Sequence, residues 1–122
     1  MDQRSEPFSV RYDEAADIVE VDWATGSTVD LAAAEASTTA VRALDRADVL
    51  MLVDTRGIKV FERAARTHFL NEQGGSIAMA LLVGSAVNKM IANFFIGMQK
   101  QSIPVRMFTD RDPAISWLHQ QR

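Results

Sequence analysis

The chain has 122 residues, a length suited to one domain built around a single hydrophobic core. Its 48% hydrophobic and 24% charged residues are typical of a globular protein and exclude disordered and fibrous classes. A net charge of -3 gives no general positive field for phosphate backbones, so we expect no nucleic-acid partner.

The chain contains no cysteine, which excludes disulfides, thiol catalysis and thiolate metal sites and suits a reducing compartment. The polar start, Met1–Val10, lacks the apolar stretch of about 7 to 15 residues that defines a secretory signal. We therefore expect a cytoplasmic protein.

Two early segments alternate apolar and polar residues. The apolar positions are Phe8, Val10 and Tyr12, and then Val19, Val21 and Trp23. This period of two, with "DEAAD" between the segments, predicts an antiparallel hairpin. Glu20 and Asp22 fall on the opposite face of the second strand, where we expect them to be solvated rather than to form an acid–base pair.

A helix and a strand follow the hairpin. Thr28 or Asp30 is suited to cap an alanine-rich helix that extends to about Leu44. "DVLMLVD" (Asp48–Asp54) is an unbroken apolar run and predicts a buried strand. "TRGIK" then predicts a turn into a helix from about Val60 to Asn71. The apolar side of this helix carries Phe61, Ala64, Ala65, His68 and Phe69.

The stretch Ile77–Lys100 has two readings, a membrane span or a buried strand followed by a helix. Gly84 and Ser85 interrupt it after only seven apolar residues, too few for the roughly 20 that a span needs. Beyond Ser85 the apolar residues recur at the helical period, at Val87, Met90, Ile91, Phe94, Phe95 and Met98. We therefore predict a strand, a turn with Ser85 as N-cap, a helix over Ala86–Gln99, and no transmembrane segment.

"IPVRMF" (Ile103–Phe108) predicts a last strand, and "DRDPAISWLHQQ" a last helix capped by Asp110 or Asp112. The complete order is β-β-α-β-α-β-α-β-α. Strands that alternate with helices pair in parallel, whereas the hairpin adds an antiparallel pair. The sequence thus predicts one α/β domain over residues 1–122, a mixed β-sheet layered with helices.

This element order, with "IAMALLVGSAVNKMIANFF" leading into "PVRMFTDRDPAISWL", resembles the SpoIIAA-like branch of the STAS superfamily. The best-known members are bacterial anti-sigma-factor antagonists. The resemblance implies a small cytoplasmic regulatory or binding module, and its fold class is similar to that of the lipid-carrying CRAL-TRIO domains.

Antagonists of that family carry an Asp-Ser-Ser/Thr-Gly segment in which a serine is phosphorylated. The corresponding region here, "VDTRGIKVFERAAR", lacks the serine pair and offers only Thr55. Thr55 is thus the candidate phosphoacceptor. The alternative is a turn residue whose hydroxyl bonds to local backbone.

In such a sheet, ligands favour the carboxyl ends of the strands. The residues expected at this edge, as a ligand or partner site, are Asp54, Thr55, Arg56, Gly57, Gly84, Ser85, Thr109 and Asp110. Asp54 and Asp110 suit either paired carboxylates for acid–base work or a divalent cation, or structural roles at a strand end and a helix cap.

The two histidines are isolated in the sequence. His68 is expected at the edge of the core, bonded to backbone, and His119 in the last helical turn, where a cation complements the helix dipole. We identify no catalytic constellation, no metal site and no cofactor motif.

The Ala86–Gln99 helix carries more apolar surface than one face requires. Phe94, Phe95, Ile96 and Met98 are therefore candidates for lining an apolar pocket or for meeting a second subunit in a homodimer.

From these observations the favoured function is a non-enzymatic regulatory or protein-interaction module with an unassigned protein partner, self-associating. The alternative is a carrier or sensor of a small apolar, lipid-like ligand. An enzyme ranks third.

Overall fold

The computed structural model describes residues 7–72, 75–84, 91, 94 and 103–122. The strands are β1 Phe8–Asp13, β2 Ile18–Trp23, β3 Ser27–Val29, β4 Val49–Asp54, β5 Ile58–Phe61, β6 Ser76–Leu82 and β7 Val105–Phe108. The helices described from end to end are α1 Leu31–Ala43, α2 Arg63–Asn71 and α3 Arg111–His119.

The main sheet has five strands in the order β1-β2-β4-β6-β7. β1 and β2 pair antiparallel over their full length, from Phe8 opposite Trp23 to Asp13 opposite Ile18. The three other pairs, β2–β4, β4–β6 and β6–β7, are parallel. The predicted hairpin and the predicted mixed α/β sheet are confirmed.

Helices cover both faces of this sheet. On the front face, which we define by Val21, Met51 and Met79, residues of α1 and α2 complete one hydrophobic cluster. On the back face, defined by Leu50 and Leu52, α3 completes a second cluster. Because successive side chains of a strand point to opposite faces, a strand covered on both sides reads as a continuous apolar run, as β4 and β6 do.

Two aspartates begin helices in different ways. The Asp30 carboxylate accepts a hydrogen bond of 2.8 Å from the backbone N–H of Ala33, which confirms Asp30 as the N-cap of α1. Asp110 occupies the N-cap position of α3 in extended conformation, but its side chain makes no cap hydrogen bond. Asp112 lies within the first turn of α3.

A second, two-stranded sheet formed by β3 and β5 was not predicted. The prediction that a helix begins near Val60 is wrong, because Val60 and Phe61 belong to β5, and α2 begins at Arg63. The physical reason is the parallel pairing of Val29 with Phe61, which places the phenylalanine ring in the front-face cluster.

The turn into β5 passes against the end of β2. A Cβ atom on Gly57 would lie 2.6 Å from the carbonyl oxygen of Trp23 and 2.7 Å from that of Ala24. Gly57 in turn accepts a 2.7 Å hydrogen bond from the backbone N–H of Gly26. The two chain segments meet so closely that only glycine fits at position 57 without displacement.

After β6 the chain leaves the sheet at Leu82, before Gly84. The predicted N-cap Ser85 lies outside the described residues. Ile91 and Phe94 are described and helical, and the ring of Phe94 packs edge-on against Phe61 with centroids 5.3 Å apart. Within the described part of the chain, no helix combines the length and apolar character needed to cross a membrane.

Candidate functional site

An apolar cavity of about 60 Å³ lies between the front face of the main sheet and the elements that cover it. The main sheet contributes Val21, Trp23, Met51, Val53, Thr55 and Met79; the small sheet and its turns contribute Val29, Ile58 and Phe61; the helical layer contributes Ser37, Thr38, Val41, Phe69 and Glu72. The described lining residues are therefore mostly aliphatic and aromatic, and the polar ones among them are Ser37, Thr38, Thr55 and Glu72.

The burial of the lining residues locates the mouth of the cavity. Phe69 and Glu72 are half-buried, whereas the other lining residues are buried. The cavity thus reaches solvent beside the end of α2. There the Glu72 carboxylate accepts a hydrogen bond from the Arg42 guanidinium at the end of α1, which ties the two helices together at the mouth.

Two residues of α1 that line the cavity, Ser37 and Thr38, carry hydroxyls. Ser37 Oγ donates to the carbonyl oxygen of Ala34 at 2.8 Å. Thr38 Oγ1 lies 3.2 Å from the same carbonyl and 2.9 Å from Nε2 of His68 on α2. His68 was expected to bond to backbone; the structure corrects this, since its partner is the Thr38 hydroxyl.

Thr55, the candidate phosphoacceptor, is 1% exposed. Its hydroxyl donates to the carbonyl oxygen of Leu82 at 2.8 Å, and its backbone N–H donates to the same oxygen at 3.0 Å. Thr55 therefore joins the ends of β4 and β6, and a kinase would have to expose this hydroxyl before using it.

Among the described residues of the predicted edge, Asp54 ends β4, while Gly84 follows β6 and Thr109 follows β7; the ends of these strands pair side by side, Asp54 with Leu82 and Leu82 with Phe108. Asp54 accepts two side-chain hydrogen bonds from Arg56, of 2.9 and 2.8 Å. Burial alone would raise the pKa of the Asp54 carboxyl, but these bonds outweigh it and hold the pKa below its ordinary value.

Thr109 contacts Asp110 at 3.4 Å, and the charge of Asp110 acts on Arg56. Each carboxylate is thus engaged within its own turn, as a strand-end or cap residue is. Gly84, after the end of β6, is exposed.

A charged cluster occupies the back face. Glu20, expected to be solvated, has a side chain only 7% exposed. Its Oε1 accepts from Arg11 at 2.7 Å and from Arg111 at 2.9 Å. The expectation was wrong because α3, whose first residue is Arg111, covers this face of β2.

Asp22, two residues along β2, is half-buried. It lies opposite Asp54 in the parallel register of β2 and β4. Burial, together with the charges of Glu20 and Asp54, raises the pKa of the Asp22 carboxyl above its ordinary value. Its neighbourhood therefore disfavours the ionised form.

His119 lies in the last turn of α3, as predicted, and its Nε2 contacts the carbonyl oxygen of Ala16 at 2.6 Å. Of the four residues predicted to form an apolar pocket or interface, Phe94 is half-buried against the front-face cluster. Phe95, Ile96 and Met98 lie outside the described residues.

The sequence analysis did not identify Trp23, Ser37, Thr38 or Glu72 as residues of a site. A signal was present in α1, whose buried residues are Ala33, Ala34, Ser37, Thr38 and Val41. Two hydroxyls on the buried stripe of a helix are a weak signal of a cavity, because such hydroxyls commonly bond to a carbonyl of their own helix, as both do here.

The structure is similar to the crystal structure of an uncharacterized protein of the DUF3478 family from Shewanella loihica PV-4, described as having a SpoIIAA-like fold. The TM-score is 0.69 at 12% sequence identity, over 97% of this chain and 98% of that one. The fold of the chain is thus SpoIIAA-like. No protein with a curated description matches the sequence. A family model described as a domain of unknown function, DUF7793, matches residues 12–122, and the chain belongs to that family.

Proposed function

We propose that the chain is a non-enzymatic binding module that takes a small apolar molecule into the front-face cavity. The observation that carries the proposal is the cavity itself. Protein interiors pack densely and leave few voids larger than a water molecule. A void of about 60 Å³ is several times the roughly 10–15 Å³ that one water requires, and its lining is largely apolar. An apolar ligand that fills such a space would stabilise the protein.

The volume also limits the ligand. An engineered apolar cavity of about 150 Å³ binds benzene. A cavity of about 60 Å³ is smaller, so it suits a ligand of a few carbon atoms, or the end of a longer one that extends through the mouth at Glu72. The proposal therefore favours a sensor of small molecules over a carrier of whole lipids.

The hydroxyl–imidazole pair of Thr38 and His68 is of the type that nucleophilic catalysis uses. The Thr38 hydroxyl also contacts the carbonyl of Ala34 on its own helix, a common structural arrangement of threonine in helices. This second contact supports a structural role for the pair, in keeping with a non-enzymatic module.

Trp23 provides a direct test. The chain has two tryptophans, of which Trp23 lines the cavity and Trp117 packs against Phe108 beside the back-face cluster. In a Trp117→Phe variant, titration with dissolved propane, which has only three carbon atoms, should change the emission of Trp23 and saturate. In the matched Trp23→Phe variant, the emission of Trp117 should stay constant. A Trp23 emission that never saturates would contradict the proposal.

A cavity-filling pair of variants adds a control. Val41 lines the cavity, whereas Val60 is 42% exposed and lies outside its lining. In the Trp117→Phe background, Val41→Phe should abolish the propane response and Val60→Phe should retain it. Circular dichroism should show both variants folded. Native mass spectrometry after mild purification should show a small-molecule adduct on the parent chain.

A regulatory role through a protein partner is a second candidate. The supporting observation is the strand-end cluster, where Arg56 is half-exposed and Thr109 and Asp110 are exposed. A protein partner that binds this edge should bind an Arg56→Glu variant less tightly than the parent chain. A pull-down from the native host that compares the parent chain with this variant tests the role, and equal capture by both would argue against this edge.

A further inference from the structure

We infer that two copies of the chain associate through the outer edge of β1, so that Arg11 of each copy reaches Asp22 of the other. In the part of the chain that the structure describes, β1 is an outer strand of the main sheet and pairs with β2 on one side only. The backbone N–H and C=O groups of its other side can pair with one more strand. This surface lies outside the cavity lining, so the inference goes beyond the proposed function.

The composition of β1 suits such pairing. Edge strands that avoid association are commonly protected by proline, by lysine or by charged residues that point inward. β1 reads FSVRYD, without proline or lysine, and its apolar residues Phe8, Val10 and Tyr12 pack against the front-face cluster. The sequence of β1 therefore leaves its outer backbone groups able to pair with a second strand of the same kind.

The charges of β1 select one register. A two-fold axis pairs β1 antiparallel with its copy and keeps the faces of the two sheets continuous, so opposite residues share a face. An axis at Val10 places Arg11 opposite Ser9 of the copy and Phe8 opposite Tyr12 of the copy. An axis at Arg11 would instead place two guanidinium groups opposite each other, which is unfavourable. The register centred on Val10 is therefore the favoured one.

Asp22 supplies the charge complementarity. Its pKa is raised by burial and by neighbouring carboxylates, and within the described part of the chain no hydrogen bond or ion pair engages its carboxylate. Ser9, which is small and exposed, lies opposite Asp22 in the pairing of β1 and β2. In the favoured register, Arg11 of the copy lies beside Ser9, two strand spacings or about 10 Å from Asp22 along the backbone. An arginine and an aspartate side chain together span this distance across the small serine.

Arg11 can turn toward the copy at little cost. Its side chain is 54% exposed, and Glu20, its acceptor within the chain, also accepts a hydrogen bond from Arg111 at 2.9 Å. Glu20 therefore keeps one charged partner when Arg11 moves to Asp22 of the copy. The two-fold axis forms this contact twice. One strand edge from each copy makes a small interface, so we expect a dissociation constant on the order of 100 µM and a monomer in dilute solution.

Sedimentation equilibrium at pH 7, from about 10 µM to about 1 mM, should show the dimer forming as concentration rises. Ser9→Arg places a guanidinium opposite Arg11 of the copy and offers Asp22 a cation from its own chain. It should raise the dissociation constant at least tenfold. Thr28→Arg, the same change at an exposed strand residue of the small sheet, should leave the constant unchanged. A chain that stays monomeric throughout, or a dimer that Ser9→Arg does not weaken, would overturn the inference.

Single cysteines test the register, because the chain contains no cysteine of its own. In the favoured register the two Val10 Cα atoms lie about 4.5–5.5 Å apart, within the range of a disulfide. The two Ser9 Cα atoms are offset by two residues along the strands and lie about 8 Å apart, beyond that range. After oxidation, Val10→Cys should give a covalent dimer on a non-reducing gel, and Ser9→Cys should not. Circular dichroism should show both variants folded, and equal crosslinking of the two, or none of Val10→Cys, would exclude this interface.

Discussion

The buried carboxylate of Glu20 gives the sharpest prediction about stability. Arg11 on β1 and Arg111 on α3 both donate to its Oε1, at 2.7 and 2.9 Å. The arginine side chains are 54% and 39% exposed, so solvent weakens each bond, whereas the Glu20 side chain is 7% exposed. Replacing one arginine should therefore lower the free energy of unfolding only modestly, as long as the other arginine still bonds to Glu20.

Hydrogen bonds to charged groups contribute about 1.5–3 kcal/mol, and exposure of these arginines lowers that to about 1 kcal/mol for each one. Arg11→Leu and Arg111→Leu should each lower the free energy of unfolding by about 1 kcal/mol. The double variant leaves Glu20 buried without a charged partner, a situation that costs about 3–5 kcal/mol. The double loss should exceed the sum of the single losses by more than 1 kcal/mol.

Urea unfolding followed by circular dichroism measures this excess, and the same cycle repeated in a Glu20→Gln background is the control. A neutral amide needs no charged partner, so the excess should shrink there to the part due to Asp13, whose Oδ2 also accepts a hydrogen bond from Arg111 at 3.2 Å. Simple additivity in the parent background would refute the reasoning, as would an equal excess in both backgrounds, because the arginines would then be acting through contacts other than Glu20.

Four further substitutions test local features. Gly57→Ala should destabilise the fold by about 1–3 kcal/mol, because the alanine Cβ would lie 2.6 Å from the Trp23 carbonyl oxygen. Thermal melts measure this loss, and an unchanged melting temperature would show that the turn can move. Asp30→Ala should lower the free energy of unfolding by about 1 kcal/mol, because it removes the cap hydrogen bond of α1. Asp110→Ala should lower it by less, because Asp110 makes no cap hydrogen bond. Equal losses for the two variants would count against the capping argument. Asp22→Asn should raise the free energy of unfolding at pH 7 by about 0.5 kcal/mol, since it removes a like charge beside the neighbouring strand. The folded-state pKa of Asp22 is raised, so its ionisation opposes folding above that pKa and the gain should shrink as the pH falls through it; a gain that is constant with pH would contradict this.

Local patterns were sufficient to predict most of the main sheet. The period-two alternation around Val10 and Val21 gave the hairpin, and the unbroken run ending at Asp54 gave β4. Asp30 was identified as a cap because capping depends only on residues within one helical turn. Each of these signals lies within a few residues of the structure that it specifies.

Features that depend on distant contacts were missed. β3 and β5 have three and four residues and pair with each other across α1 and β4, so neither carries a pattern long enough to identify it as a strand. The alternation of β2 separated Glu20 from the apolar face, but it could not show that Arg111, 91 positions later, covers the other face. The cavity depends in the same way on how two helices lie over the sheet.

Strand β2 contributes to both the cavity on the front face and the charged cluster on the back face. Val21 lines the cavity, and its neighbour Glu20 accepts hydrogen bonds from the two arginines on the other face. A slip of one residue in the pairing of β2 would exchange the two faces. The carboxylate would then enter a largely apolar cavity while the valine faced two guanidinium groups, and an unpaired buried charge costs several kcal/mol. Both faces therefore enforce a single register, consistent with the pairing of β1 and β2 over their full length. The same register holds Trp23 at the cavity, so the charged cluster on the back face helps to maintain the shape of the proposed binding site on the front.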